Sequence, residues 1–233
     1  MSDPQIIHQD ADLLIVHKPS GLPTTSPSPT DPCLVRWVEE HVPGLDAHPT
    51  SRLDSPVSGL VTFALNRAAN RRLLDARRAG SYERVYLGIT LHELDTQQGV
   101  WEWPISVDPK SSKKRIAGPG RGKREARTRY EAGARTPRAM LLRLMPETGR
   151  THQIRVHAAK AGVPLFGDHA YQGERRLALD DGTVVTARRV MLHCAKVGFA
   201  WSSGFMQFEV PPPADMERVW IGLGGGRSDF DLV

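Results

Sequence analysis

The sequence predicts an α+β fold. Short apolar or alternating segments typical of strands occur throughout the 233 residues, and only a few segments have the spacing of helices. The two kinds do not alternate regularly, as they would in a parallel α/β sheet, and no repeat of fixed period recurs. With 39% apolar residues the chain can bury a substantial core, enough for one large or two small domains.

The charge balance favours a polyanionic partner. The chain has 31 Lys and Arg against 26 Asp and Glu, a net charge of +5, and an isoelectric point near 9.5. Cys33 and Cys194 lie far apart without CxxC or Cys/His ligand spacing, which predicts a reduced protein without structural zinc. Because no early apolar stretch has the length of a signal peptide or membrane span, we expect a soluble, cytoplasmic protein that engages no membrane and no metal.

The first segments predict two strands and a short helix. Residues 12–16 form an apolar run that ends in a turn, and residues 59–64 form a second buried run. Between them, the Pro- and Ser-rich residues 23–32 predict a surface loop, and residues 34–42 have the spacing of one or two helical turns.

A basic helix is predicted next. Asn66 is a suitable N-cap, and Gly80 follows the expected last residue, Ala79. The exposed face of such a helix is either merely solvated or a contact for an RNA backbone. Its basic residues are Arg67, Arg71, Arg72, Arg77 and Arg78, against one acidic residue, Asp75.

Residues 84–90 alternate and predict a strand with two unlike faces. Val85, Leu87 and Ile89 form the apolar face, and Tyr86 and Gly88 lie on the other. Ordinary packing of a tyrosine in a sheet is one interpretation of Tyr86. The other is a planar ligand against its ring, with room left by Gly88.

The remaining strands surround a basic segment. Residues 109–127 contain eight basic residues and one Glu, and their glycines predict a loop. It is either a flexible solubilising tip or an arm that lies along phosphates, with Lys113, Lys114, Arg115 and Lys123 as contacts. The glycine-rich tail, 224–233, is predicted to be mobile. Strands are predicted at 101–107, 126–131, 139–145, 191–200 and 205–210.

Two polar segments are candidates for chemistry. Residues 51–60 place Asp54 in a turn just before a core strand, where it is either a turn former or a functional carboxylate. Residues 148–161 predict a turn followed by a helix that Gly162 ends. His152, Gln153 and Arg155 near the helix start suit either a solvated face or an anionic site.

These segments together resemble the RluA family of pseudouridine synthases. Residues 51–60 are similar to its His-Arg-Leu-Asp-x-x-Thr-Ser-Gly-Leu motif, and residues 84–88 to its Lys-x-Tyr-x-Ala strand. Residues 148–157 match the third motif almost letter for letter, and Gly167-Asp168 with Tyr171 match its continuation. The chain also has counterparts of the family's Asn-Lys-Pro-x-Gly-Leu opening, at 17–22, and its late Leu-His-Ala, at 192–195.

The chain departs from the family pattern at four positions. Ser51 replaces the usual His, and Val57 the usual Thr. Arg84 replaces Lys, and Gly88 replaces Ala. None of these removes the motifs' Asp, Tyr or Arg, so the resemblance still implies an active enzyme. The departures concern the residues that hold the surroundings of the target nucleotide.

The resemblance implies a fold and a reaction. The fold is a largely antiparallel mixed sheet with flanking helices and an active-site cleft, in a single catalytic domain over residues 1–233 without an N-terminal RNA-binding domain. The reaction isomerises uridine in structured RNA, with Asp54 as nucleophile or base, and needs no cofactor. Tyr86 would stack on the uracil and Arg155 would offset the charge of Asp54. Substrate contacts are expected from Arg52, Arg150, His152, Gln153 and Leu192, and backbone contacts from Arg71, Arg72, Lys113, Lys114, Arg115 and Lys123.

Two other functions share these residues. An RNA glycosylase would also use an Asp at an anomeric carbon, but it would release free base. A non-catalytic RNA-binding protein could keep the fold without turnover. The expected substrate is a loop or bulge uridine of ribosomal or transfer RNA, because flipping costs least there, and the enzyme is expected to be a monomer.

Overall fold

The computed structural model describes residues 3–42 and 48–231. It has the predicted α+β content, and the helix predicted after Asn66 is present, with the Asn66 side chain accepting the Ala69 amide at 2.9 Å. The helices are α1 (Leu34–His41), α2 (Arg67–Arg78), α3 (Gln153–Lys160) and α4 (Ala214–Gly222). The strands are β1 (Gln5–Gln9), β2 (Leu13–Lys18), β3 (His48–Pro49), β4 (Ser58–Ala64), β5 (Tyr82–Thr90), β6 (Gln98–Trp101), β7 (Ile105–Asp108), β8 (Ser111–Ala117), β9 (Thr128–Arg135), β10 (Met140–Pro146), β11 (Arg176–Ala178), β12 (Val184–Thr186), β13 (Leu192–Trp201) and β14 (Gly204–Glu209).

The chain divides into two compact units. Unit 1 comprises Met1–Arg84 and Cys194–Val210, and unit 2 comprises Val85–His193 and Pro211–Val233. The chain passes from one unit to the other inside β5, inside β13 and between Val210 and Pro211. Two of these crossings lie inside strands and carry no sequence signal, whereas the third is marked by the three prolines 211–213.

Unit 1 is built around β4. Its strands follow the order β1-β2-β4-β13, with β14 beside β13 and β3 beside β4. All seven residues of β4 are buried, and α2 packs against this strand with Ala69, Leu73 and Ala76 inward. At Gly59, whose φ is +120°, a Cβ would lie 2.3 Å from the carbonyl oxygen of Cys194, so only glycine permits the close approach of β4 and β13.

Unit 2 contains a second series of antiparallel strands. They follow the order β5-β10-β9-β6, and the hairpins β7–β8 and β11–β12 form separate pairs. Helix α3 packs against β8, β9 and β10. A small core beside it consists of Ile105, Ala126, Val156 and Tyr171.

The prediction of a loop over residues 109–127 is wrong for its first part, because residues 111–117 form the strand β8. This strand pairs with β7 through Val107↔Arg115, Ser106↔Ile116 and Ile105↔Ala117. The pairing satisfies the backbone of a stretch too polar to predict a strand by itself. Residues 118–127 remain irregular, apart from a bridge between Ile105 and Arg124.

The prediction of unlike faces for β5 is wrong. Tyr86, Gly88 and Thr90 are as buried as the apolar residues between them. The Thr90 hydroxyl donates to the Pro164 carbonyl at 2.9 Å, so its polar group is satisfied inside unit 2. The sequence alone does not distinguish a buried polar residue that has such a partner from an exposed one.

The predicted mobile tail is packed as far as Asp231. Residues Arg227–Phe230 form a 3₁₀ turn in which Phe230 is buried. The carboxylate of Asp229 accepts the Gly226 amide at 2.7 Å and the Trp220 indole N–H at 2.9 Å. These hydrogen bonds lower the pKa of Asp229 and fix the segment after the glycines. Residues 232 and 233 lie outside the described residues.

Candidate active site

Thr24 holds the loop that contains Asp54, through two hydrogen bonds to the backbone of Leu53. Asp54 is half-buried, and its carbonyl accepts the Val57 amide at 3.0 Å. The Thr24 hydroxyl donates to the Leu53 carbonyl and accepts the Leu53 amide, both at 3.0 Å. Because Thr24 is only 2% exposed, these bonds are shielded from water and fix the backbone directly before Asp54.

Lys18 holds the backbone directly after Asp54. This fully buried ammonium donates to the carbonyls of Pro19 at 2.8 Å, Leu22 at 2.6 Å and Ser55 at 3.4 Å. Gly21 and Ser55 add two more bonds, from the Gly21 amide to the Ser55 carbonyl at 2.7 Å and from the Ser55 hydroxyl to the Gly21 carbonyl at 2.9 Å. The opening motif therefore serves as a clamp on the Asp54 loop.

Lys18→Met is expected to lower the free energy of unfolding by about 2–4 kcal/mol. The substitution removes the ammonium that donates to the buried carbonyls and leaves them without that hydrogen-bond donor. Urea denaturation measures this change. The matched control is Lys196→Met in the same unit, whose amine pairs at 3.2 Å with the half-exposed Glu209 and should cost less than about 1 kcal/mol. Equal losses for the two variants would contradict the clamp.

The other residues predicted in unit 1 lie at the surface. Arg52 is exposed, whereas Ser51 is buried, with its hydroxyl 3.4 Å from the Thr62 amide that it accepts. Arg71 and Arg72 are exposed on α2. The guanidinium of Arg72 lies 5.6 Å from the Trp201 ring centroid, which leaves Arg71 the less engaged of the two cations.

Arg155 forms a buried ion pair in unit 2. Its Nε and Nη2 each donate to an oxygen of Asp168 at 2.7 Å, and the two side chains are 8% and 2% exposed. The Tyr171 ring covers the guanidinium, with its centroid 4.9 Å from Cζ. A solvated helix face is therefore excluded for Arg155, and the bidentate geometry fixes the orientation of its charge.

The side-chain amide of Gln153 makes four hydrogen bonds inside unit 2. Its oxygen accepts the Thr148 hydroxyl at 2.7 Å and the Arg150 amide at 2.9 Å. Its nitrogen donates to the Arg127 carbonyl at 2.9 Å and the Thr128 hydroxyl at 3.0 Å. Since an amide has no further strong hydrogen-bonding positions, this geometry favours a role in positioning the start of α3 over the predicted contact with substrate.

His157 continues this network. Its Nε2 lies 2.8 Å from the Trp103 carbonyl and its Nδ1 lies 3.0 Å from the Thr128 hydroxyl. Burial lowers the pKa of His157, against the opposing effect of the Trp103 bond, so the ring is neutral at pH 7. The carbonyl then requires the proton on Nε2, and the Thr128 hydroxyl donates to Nδ1.

His152 and Arg150 lie at the start of α3. His152 has a left-handed backbone, with φ +59°, and its Nδ1 lies 2.6 Å from the Tyr171 hydroxyl. Arg150 is half-buried, and its Nε donates to the Glu125 carbonyl at 2.9 Å. An unusual backbone conformation held by a side-chain bond is common at functional sites.

The space beside Gly88 is filled. Tyr86 is 5% exposed, and a Cβ at Gly88 would lie 3.0 Å from Leu165, 3.1 Å from Leu144 and 3.7 Å from Leu192. Leucine side chains take up the space at Gly88, so the interpretation that this glycine itself leaves room for a ligand is wrong. Leu192 itself is buried against this glycine.

The basic hairpin β7–β8 presents two exposed lysines, Lys113 and Lys114, at the surface of unit 2. The Arg115 guanidinium folds back onto the carbonyls of Ser112 and Lys114 at 2.8 and 2.7 Å. Lys123 lies 3.1 Å from the carboxylate of Glu125, so Lys113 and Lys114 are the better candidates for phosphate contacts.

Two further observations concern the described ranges only. No group of three or more His, Cys, Asp or Glu side chains within them is arranged to hold a metal ion. Among residues 3–42 and 48–231, no helix combines the length and apolar content that a membrane crossing requires.

Comparison with known proteins decides the family. The family described as RNA pseudouridylate synthase matches residues 12–160. The dual-specificity RNA pseudouridine synthase RluA of Pasteurella multocida is 32% identical over 213 residues, 89% of this chain and 92% of that protein. The chain belongs to the RluA family of pseudouridine synthases. Its family is one of enzymes that convert uridine to pseudouridine in RNA.

Two further comparisons are with other pseudouridine synthases. RNA pseudouridine synthase 2, chloroplastic, of Oryza sativa subsp. japonica is 33% identical over 192 residues, and the match spans 72% of this chain but only 42% of the rice protein. The solved structure of human RNA pseudouridylate synthase domain containing 4 superposes with a TM-score of 0.72 at 21% identity, covering 94% of this chain and 92% of that one. This similarity confirms the predicted pseudouridine synthase fold.

Three residues that hold predicted site residues in place were assigned no role from the sequence. Thr24 lies in a Pro- and Ser-rich loop, where nothing distinguishes it from its neighbours. Asp168 and Tyr171 stand in the continuation of the third motif, and the resemblance alone contained a signal for them. Their contacts with Arg155 show what that continuation provides.

Proposed function

We propose that this protein isomerises uridine to pseudouridine in structured RNA, with Asp54 as the catalytic carboxylate. The observation that carries the proposal is the half-buried Asp54 on a loop held before it by Thr24 and after it by Lys18. A carboxylate in a fixed position can attack C1′ of the ribose or act as a base on the sugar. The reaction exchanges a C–N bond for a C–C bond without redox change or phosphate transfer, so it needs no cofactor.

Tyr86 and Arg155 complete the proposed chemistry. Tyr86 stacks on the uracil while the base turns, a contact worth about 1–3 kcal/mol. Arg155 is the cation that favours the ionised form of the Asp54 carboxylate. The bidentate pair with Asp168 supports this role because it fixes the position of the Arg155 guanidinium. Family membership and the matching motifs support both assignments.

The proposed RNA contacts follow from exposure and charge. Arg52 fills the gap left by the flipped nucleotide, since its planar guanidinium can stack there. Arg71, Lys113 and Lys114 contact phosphates, because each is exposed. The substrate is a loop or bulge uridine of ribosomal or transfer RNA, and the enzyme works as a cytoplasmic monomer.

The alternative of an RNA glycosylase is tested by the fate of uracil. Wild-type protein is incubated with unmodified ribosomal and transfer RNA, and free uracil is measured together with the mass of RNA fragments. An isomerase leaves the fragment mass unchanged, releases no uracil and produces pseudouridine. Release of uracil in step with loss of uridine would exclude the proposed reaction and favour the glycosylase.

A further inference from the structure

Tyr171 contacts both Arg155 and the basic hairpin of unit 2, to which the proposed function gives separate roles. It lies in the 3₁₀ turn His169–Tyr171 and is 8% exposed. Its ring covers Arg155, with the centroid 4.9 Å from Cζ. Its hydroxyl accepts the Arg115 amide at 3.0 Å and lies 2.6 Å from Nδ1 of His152. One side chain therefore touches the buried cation, the start of α3 and the basic hairpin.

The hydrogen bonds at this hydroxyl have one natural arrangement. The backbone N–H of Arg115 can only donate, so the Tyr171 oxygen accepts it. The phenolic hydrogen is then directed to Nδ1 of His152. Loss of the hydroxyl would leave the Arg115 amide without this acceptor and His152 without the bond at its left-handed backbone.

The turn that carries Tyr171 is built to a fixed geometry. The Asp168 carbonyl accepts the amides of Tyr171 and Gly173, both at 2.9 Å. A Cβ at Gly173 would lie 2.0 Å from the Leu165 carbonyl oxygen, so only glycine fits there. The same short segment thus supplies the carboxylate at the edge of Arg155 and the ring on its face.

The hairpin contacts α3 directly as well as through Tyr171, because β8 packs against this helix. Its apolar base contributes Ile105 to the small core that also contains Val156 of α3 and the Tyr171 ring. The exposed Lys113 and Lys114 precede the residue whose amide Tyr171 binds. A change in the bond to Tyr171 therefore reaches the two lysines through the backbone of β8.

We propose that Tyr171 is a positioning residue that couples the hold of the basic hairpin on RNA to the placement of Arg155. The inference rests on the proposed function. The Tyr171 hydroxyl sets the position of Lys113 and Lys114, and the ring sets the position of the guanidinium. The two parts of one side chain should consequently affect binding and turnover separately.

The test compares Tyr171→Phe, which removes the hydroxyl, with Tyr171→Leu, which also removes the ring. The matched control is Tyr82→Phe in unit 1. Tyr82 is also 8% exposed, its hydroxyl donates to Thr62 at 2.9 Å, and Arg77 lies 4.3 Å over its ring. Amide hydrogen exchange over residues 111–117 is measured without RNA. KM and kcat are measured on the RNA in which wild-type protein makes pseudouridine.

Tyr171→Phe is expected to accelerate exchange at Arg115 about tenfold and to raise KM about fivefold, with kcat within about twofold of wild type. Tyr171→Leu should in addition lower kcat about tenfold or more, because Arg155 loses its cover. Tyr82→Phe should leave exchange in the hairpin and KM unchanged. In a Lys113→Gln/Lys114→Gln background, Tyr171→Phe should raise KM by less than about twofold further, because the effect acts through those lysines.

The inference is overturned by unchanged exchange in Tyr171→Phe, by a KM effect matched by Tyr82→Phe, or by full additivity with the lysine substitutions. An inactive wild-type protein would instead overturn the proposed function. In that case hydrogen exchange still decides whether Tyr171 holds the hairpin, so the two failures are distinguishable.

Discussion

Asp168→Asn is expected to lower the free energy of unfolding by about 3–5 kcal/mol, because it leaves the Arg155 cation buried beside a neutral amide. The pair has two bonds of 2.7 Å, and both side chains are almost fully buried. The amide keeps the size of the carboxylate, so loss of charge is the main change. Urea denaturation followed by circular dichroism measures the effect.

Asp215→Asn is the control for this prediction. Asp215 makes the same bidentate contact with Arg189, at 2.6 and 3.0 Å, but its side chain is 44% exposed. Burial alone would raise the pKa of Asp215, but the bonds and charge of Arg189 outweigh it and lower the pKa. Arg189 is as buried as Arg155, at 8% exposed, but water reaches the Asp215 carboxylate, so we expect a smaller loss of about 1 kcal/mol. Similar losses for the two variants would contradict the assignment of Arg155–Asp168 as a buried pair.

Asp54→Asn is expected to reduce pseudouridine formation on the order of 10⁴-fold or more, the effect typical of removing a nucleophile or essential base. The free energy of unfolding should change by less than about 1 kcal/mol, since Thr24 and Lys18 hold the loop through its backbone. Single-turnover kinetics with excess enzyme measures the rate. The control is Asp12→Asn, which removes another half-buried carboxylate of unit 1, one that accepts the Asn66 amide at 2.7 Å.

Local signals in the sequence were sufficient for several elements. The capped helix α2 was predicted because Asn66 and Gly80 mark its ends, and β4 and β10 because most of their residues are apolar. The family was identified from motifs that extend over most of the chain, and the comparisons confirm it.

Features that depend on distant partners were not predicted. The strand β8 exists through its pairing with β7, and its own residues are mostly charged. Gly88 suggested space for a ligand, but the leucines that fill the space come from other strands and loops. The sequence could not decide whether the Gln153 side-chain amide contacts substrate or protein. Its four hydrogen bonds within the fold favour protein.

The assignment of Asp54 is the central claim, and pseudouridine mapping tests it most directly. Wild-type, Asp54→Asn and Asp12→Asn proteins are incubated with total RNA from a host that lacks this protein, and pseudouridine is then mapped chemically at single-nucleotide resolution. Sites that appear with wild type and Asp12→Asn, and are absent with an equally folded Asp54→Asn protein, are the predicted result. The same sites with Asp54→Asn would contradict the assignment, and no new site with folded, RNA-bound wild-type protein would favour a non-catalytic RNA-binding protein.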